Sequence, residues 1–332
     1  MSIGARLKSL GFDTYLLLLV GMVVLASLLP ARGVAADIVS QSTTYAVALL
    51  FFIYGARLDT ASIMAGLANW RLQGMVLATT FIVFPVVGLA LANVLAPWLP
   101  SEIVIGLIYV SILPSTVQSS IAFTSVAQGN VPAAVCAASV SNLLGVFVTP
   151  ILAGFLVHTS GGGFDMQAVI DIGVQLLLPF ALGQLLRPWI GAWIKRHTVL
   201  TRIVDRGSIL LIVYSAFSAG VVAGIWGQVD LGVLALMIAA DIVMLAIIMV
   251  GTFFVGRAAG MSHADAVVLL FCGSKKSLAS GLPMANILFA GRTIGLIVLP
   301  LMLFHQIQLI VCAVIAQRYA YRQSQLAAAP SA

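Results

Sequence analysis

The sequence predicts an all-α membrane protein of ten transmembrane helices, arranged as two inverted five-helix repeats with helices 4 and 9 broken. Three observations carry that expectation: the chain is overwhelmingly apolar, its apolar runs are long enough to span, and landmarks of its first half recur in its second. Of 332 residues, 61% are hydrophobic and 8% charged, with a mean hydropathy of +1.14, which excludes an ordinary soluble domain. A helix crosses a hydrocarbon core with about 20 apolar residues. Ten runs approach or exceed that length, at roughly 13–31, 40–57, 73–98, 103–127, 130–157, 167–189, 207–226, 231–256, 264–290 and 293–318.

The first run follows Arg6 and Lys8 and precedes VAAD, a pattern shared with cleaved secretory signals. It is expected to be kept, because its loss would spoil the repeat. An even number of spans puts both termini on one side. All but four of the 16 basic residues then share that side: Arg32 and Arg292 lie opposite, and Lys275 and Lys276 lie within the membrane. The positive-inside rule makes both termini cytoplasmic, in a multi-pass protein of the cell (inner) membrane. The net charge of +6 thus reflects topology, and a nucleic-acid partner is not expected. Cys136, Cys272 and Cys312 fall inside predicted helices without CxxC spacing, so neither a disulfide framework nor a zinc site is indicated.

The repeat is read from IYGA at 53–56 and VYSA at 213–216, which place Tyr54 and Tyr214 160 residues apart. The fourth run is interrupted by ILPSTVQSS and the ninth by FCGSKKSLASG, with Pro114 and Gly273 as corresponding breakers. Each is followed by a tight polar turn, QGN at 128–130 and AGR at 290–292. Their shared spacing marks an internal repeat. Five helices per half invert the second copy. The chain divides into a first repeat (1–157), an external connection (158–166), a second repeat (167–318) and a cytoplasmic tail (319–332). Inverted repeats with one interrupted helix each are characteristic of secondary transporters, which bind where the two breaks meet.

At PSTVQSSIAFTS, residues 114–125, proline removes a donor and disfavours helix in the residue before it, so the helix opens near Leu113. Ser115, Thr116, Gln118, Ser119 and Ser120 can satisfy the freed backbone or offer oxygen to a hard cation. The alternative is a packed, kinked helix. In GSKKSLASGLP, breakers at Gly273, Gly281 and Pro283 accompany Ser274, Ser277 and Ser280. A half-helix starting near Ser274 would aim its positive pole at an anion. Each lysine costs roughly 2.5–3.5 kcal/mol at the bilayer centre unless offset. Asp241, in the eighth run, is the expected counter-ion, either as a structural pair or in coupling. His305 of LFHQIQL is either a buried neutral ring or a proton carrier. Thr79, Thr80, Ser139, Ser141 and Asn142 are further candidates that also suit packing.

FFIYGARLD (51–59), LPSTVQSSIAFTSVAQGNVPAA (113–134), SVSNLLGVFVTP (139–150) and FCGSKKSLASGLPMA (271–285) together resemble the bile acid:sodium symporter family, in particular its bile-acid-symporter-like branch. The resemblance covers essentially the whole chain. It implies a core of helices 3–5 and 8–10 in which the broken helices 4 and 9 cross, a panel of helices 1, 2, 6 and 7, and alternating access between them. By the same resemblance Ser119 and Ser120 occupy the helix 4 sodium pair. The helix 5 hydroxyl positions fall on Ala134 and Ala138, the glutamate position on Ser274 and the glutamine position on Leu278. A sodium site is therefore in doubt, and one lysine is expected to stand in for the ion. The function expected is a secondary, symporter-like carrier of a small or amphipathic organic anion, sodium-independent or proton-coupled, in a lipid bilayer and without cofactor. The alternatives are a sodium-coupled bile acid or organic anion symporter, and a regulatory membrane protein of the same fold. No Walker A, HExxH or GxSxG motif supports an ATP-driven pump or an enzyme. Substrate identity and oligomeric state are not legible.

Overall fold

A computed structural model describes residues 14–57, 69–157, 166–224, 229–290 and 292–328. Among these every regular element is helical. In chain order they are α1 (Thr14–Leu28), α2 (Val34–Arg57), α3 (Trp70–Ala78), a π segment (Thr79–Val83), α4 (Phe84–Leu95), α5 (Ser101–Ile112) and α6 (Gln118–Val126). There follow α7 (Val131–Val157), α8 (Met166–Arg196), α9 (Thr198–Val222), α10 (Leu231–Ala258), α11 (His263–Gly273), α12 (Leu278–Leu288) and α13 (Ile294–Ala328).

By length and composition, α2, the continuous α3–α4 stretch, α7, α9, α10 and α13 can each cross a membrane. The chain is a multi-pass membrane protein. The fourth and ninth runs are each split into two short helices, at the predicted breakers. Elsewhere boundaries move outward. α2 begins six residues before the second run, because Gly33 at φ +56° turns the chain and its carbonyl accepts from the amides of Ala36 and Asp37. α8 and α9 continue through RPWIGAWIKRHTVLTR to meet at His197. That stretch is too polar to register as a span, yet it is built mostly of helix-compatible residues. α13 runs on to Ala328 through residues assigned to the tail, since AYRQSQLAA is rich in helix formers.

Two groups of packed helices stand out, joined to each other where α8 meets α7 and α9 meets α12 and α13. α2 lies along α8, and α9 packs on both α1 and α2. The α2–α8 crossing is close and reciprocal: a side chain at Gly55 would strike the Phe180 carbonyl, and one at Gly183 would strike the Phe52 carbonyl. Small residues allow this backbone approach where no hydrophobic effect draws helices together. The second set joins α4 with α5, α5 with α13, α10 with α11 and α13, and α11 with α6 and α7. Its core is sealed by Tyr109, Phe84, Phe271 and Phe304, all fully buried. Both helix breaks lie in this second set.

Candidate substrate and ion site at the crossed breaks

α5 stops at Ile112 because Pro114 forces Leu113 into an extended conformation, φ −72° and ψ 155°. The carbonyls freed around the break must find donors inside the protein, and those from Ser111 to Ser115 do. Ser111 and Leu113 accept from Lys276 Nζ at 2.7 Å each. Ile112 accepts from Thr149 Oγ1 at 3.0 Å, Pro114 from the Ser277 amide at 2.9 Å, and Ser115 from Asn142 Nδ2 at 3.1 Å. The Ser115 amide donates to Ser141 Oγ at 3.0 Å. Gly145 makes room for the Pro114 ring, which a Cβ would meet at 2.6 Å. The first break is therefore held by α7 on one side and by the second break on the other.

The second break is tighter. Ser274 caps the end of α11 by donating Oγ to the Leu270 carbonyl at 2.5 Å. Gln308 of α13 clamps the backbone of Lys276, accepting from its amide and donating to its carbonyl, at 2.8 Å each. α12 starts at Leu278, later than the Ser274 start expected, and Ser277 is its N-cap, accepting from the Ser280 amide at 3.1 Å. Ser280 Oγ in turn donates to Asn142 Oδ1 at 2.7 Å, so Asn142 ties both breaks together.

The adjacent lysines, both fully buried, meet opposite surroundings. Lys276 Nζ donates to the Thr80, Ser111 and Leu113 carbonyls at 2.7–2.8 Å, using all three protons of an ammonium group. It also sits 4.1 Å from the Phe84 ring centroid. Lys275 Nζ has no hydrogen-bond partner and rests 3.9 Å from the Phe123 ring centroid, a cation–π distance. The expected pairing with Asp241 is not formed. Both carboxylate oxygens of Asp241 are buried without a hydrogen-bond partner, and the lysines are offset by carbonyls and aromatic rings instead.

The hydroxyls on α6 are engaged with one another. Ser119 Oγ donates to Thr116 Oγ1 at 3.0 Å, Thr116 and Ser120 share a bond of 3.1 Å, and Ser120 Oγ donates to the Phe271 carbonyl at 3.1 Å. Among the described residues no cluster of His, Cys, Asp or Glu could hold a metal ion. No side chain caps α6. Its first residue, Gln118, is exposed, and Ser119 and Asn142 are partly so. Ser139 lies half-buried on α7. His305 faces Gln308, Nδ1 to Nε2 at 2.9 Å. Thr80 contributes its backbone, while its hydroxyl bonds the Val76 carbonyl.

Sequence reasoning thus placed Ser115, Thr116, Gln118, Ser119, Ser120, Ser274, Lys275, Lys276, Ser277, Ser280 and Asn142 around one crossing, and left Asp241 outside the hydrogen-bonded network. It missed Gln308 and Thr149. Gln308 stands three residues after His305, on the same helical face, and that spacing was the available signal.

Residues 13–321 match the SBF-like CPA transporter family. An uncharacterized protein of Pseudomonas aeruginosa is 51% identical over 319 residues, 96% of each chain. YfeH of Escherichia coli K12, whose name marks it as a symporter only provisionally, is 49% identical over 320 residues, 95% of each. Sodium/bile acid cotransporter 7 of Rattus norvegicus is 28% identical over 309 residues, 90% of each. These are transporters by name, not enzymes, where they are named for an activity at all. With a match covering nearly its whole length, the chain belongs to the SBF-like CPA transporter family.

Proposed function

We propose that this protein is a secondary active transporter of a small or amphipathic organic anion, working by alternating access without sodium coupling. The observation that carries the reading is the difference between the two half-helix starts. α12 is capped by Ser277 and buried. α6 has no side-chain cap and opens on an exposed Gln118. An uncapped helix start within an apolar layer leaves free amides and a positive dipole end for an anion. The exposed Gln118 carboxamide and the second Nδ2 proton of the partly exposed Asn142 supply orienting hydrogen bonds. The anion site accordingly belongs to the first break, whereas the lysines of the second are sealed away from it.

Sodium fits poorly. Ser119 and Ser120 donate their hydroxyl protons to Thr116 and Phe271 and keep oxygen lone pairs, but the helix 9 carboxylate of the sodium-coupled pattern is Ser274. A sodium ion about 4 Å from an ammonium group would be disfavoured by about 4 kcal/mol at an effective dielectric of 20. A proton remains the candidate coupling ion, with Asp241 and His305 as groups able to carry it. The two broken helices at corresponding positions support ten spans in two inverted repeats. The distribution of basic residues supports cytoplasmic termini in an inner membrane.

The name of the rat relative favours a second reading, sodium-coupled bile acid uptake. One experiment separates the two. Melting temperature is measured in detergent with taurocholate, benzoate and succinate, in sodium chloride and in choline chloride. The proposal expects at least one anion to stabilise the protein equally in both salts, and a Gln118→Leu variant to lose that response. Stabilisation that requires sodium supports the second reading, and no response to any anion counts against both.

A further inference from the structure

The three carbonyls around Lys276 Nζ are set free by two separate backbone irregularities, the π segment and the Pro114 break. In the π segment the Phe84 amide bonds the Thr79 carbonyl, one position earlier than in an α-helix, and Pro85, the next residue, has no amide to give to Thr80. A continuing α5 would direct the Ser115 amide to Ser111, but that amide goes to Ser141 Oγ. Leu113 is extended, which turns its own carbonyl out of the helical path. Ser111 and Leu113 also stand at the C-terminal, negative pole of α5. Three carbonyls from two chain defects, converging on one point in an apolar layer, make a cradle for positive charge, closed on another side by the Phe84 ring.

We infer that the Thr80, Ser111 and Leu113 carbonyls form a monovalent-cation site that the chain fills with its own Lys276, and that removing this side chain lets a free cation bind there. The oxygens lie 2.7–2.8 Å from the nitrogen, a spacing suited to ammonium or potassium, both larger than sodium. In Lys276→Gly the volume left by the butylamine chain admits water to complete the ion's shell. The inference does not depend on anion transport, since binding of the cation is read without any substrate.

The test uses full-length Lys276→Gly and Lys276→Ala, purified and melted in ammonium, potassium, sodium or choline chloride at matched ionic strength. Wild type and Lys276→Met, whose side chain fills the space without charge, serve as comparisons. The expected result is a rise of several degrees for the Gly and Ala variants in ammonium and potassium over choline, with sodium weaker. Recovery of folded Gly or Ala variant only when ammonium or potassium is present throughout purification carries the same meaning. Wild type should melt at one temperature in all four salts, and so should Lys276→Met, at a lower temperature of its own. The inference is overturned if the Gly and Ala variants melt alike in every salt, if they cannot be recovered folded in any of them, or if wild type itself is stabilised specifically by a monovalent cation.

Discussion

The break at Pro114 and the break between Gly273 and Ser277 do the same backbone task, ending a helix inside an apolar layer, by different means. At the first, the freed carbonyls are answered by groups from elsewhere in the fold, and the new helix starts uncapped on an exposed Gln118. At the second, the chain supplies its own cap in Ser277, is clamped by Gln308, and buries every residue from Phe271 to Leu278. One break exposes the start of its second helix, and the other is closed around the Lys276 side chain.

The largest test of that contrast compares the neighbouring lysines. Lys276→Met strands three buried carbonyls at about 1–3 kcal/mol each, so a fall in melting temperature of well over ten degrees, or loss of monodisperse protein, is expected. Lys275→Met gives up no hydrogen bond and keeps a contact with Phe123 through a polarizable thioether. It should melt at or above the wild-type temperature, and equal losses from the two substitutions would break the comparison.

Next in size is Gln308→Leu, which removes both hydrogen bonds to the Lys276 backbone and leaves that amide and carbonyl unanswered. A loss of about 2–4 kcal/mol is expected in denaturant titration, against little change for substitution of the adjacent Ile307. Ser277→Ala should cost about 1 kcal/mol through the lost cap, seen as a modest drop in melting temperature. The smallest stability effect, within about 0.5 kcal/mol, is expected for Gln118→Leu at an exposed position. Its effect falls on function instead, with anion affinity reduced at least fivefold in the same preparation.

Much of this architecture was legible in the sequence because breakers are local. Pro114 lacks a donor wherever it stands, and Gly273 with two serines and two lysines cannot continue an apolar helix unaided. What was not legible is where the freed groups go. Lys276 bonds Thr80, 196 positions away, through a carbonyl that only the π segment and Pro85 release, and no side-chain pattern announces a backbone ligand. The same limit explains Asp241. Opposite charge on neighbouring helices suggested a pair, but carbonyl dipoles and the Phe123 and Phe84 rings had already answered the lysines. The cap on α12 shifted from Ser274 to Ser277 for a related reason: either serine can cap, and the Gln308 clamp holds Lys276 by its backbone between the two helices.

The central claim is that an organic anion is carried without sodium, recognised at the start of α6. Its most direct measurement is uptake of radiolabelled taurocholate, benzoate and succinate into proteoliposomes, with sodium or choline as the external cation, for wild type and Gln118→Leu. The account predicts uptake of at least one of these by wild type, equal in the two cations, and its loss in Gln118→Leu. Uptake that collapses when choline replaces sodium, or that persists unchanged in Gln118→Leu, would contradict it.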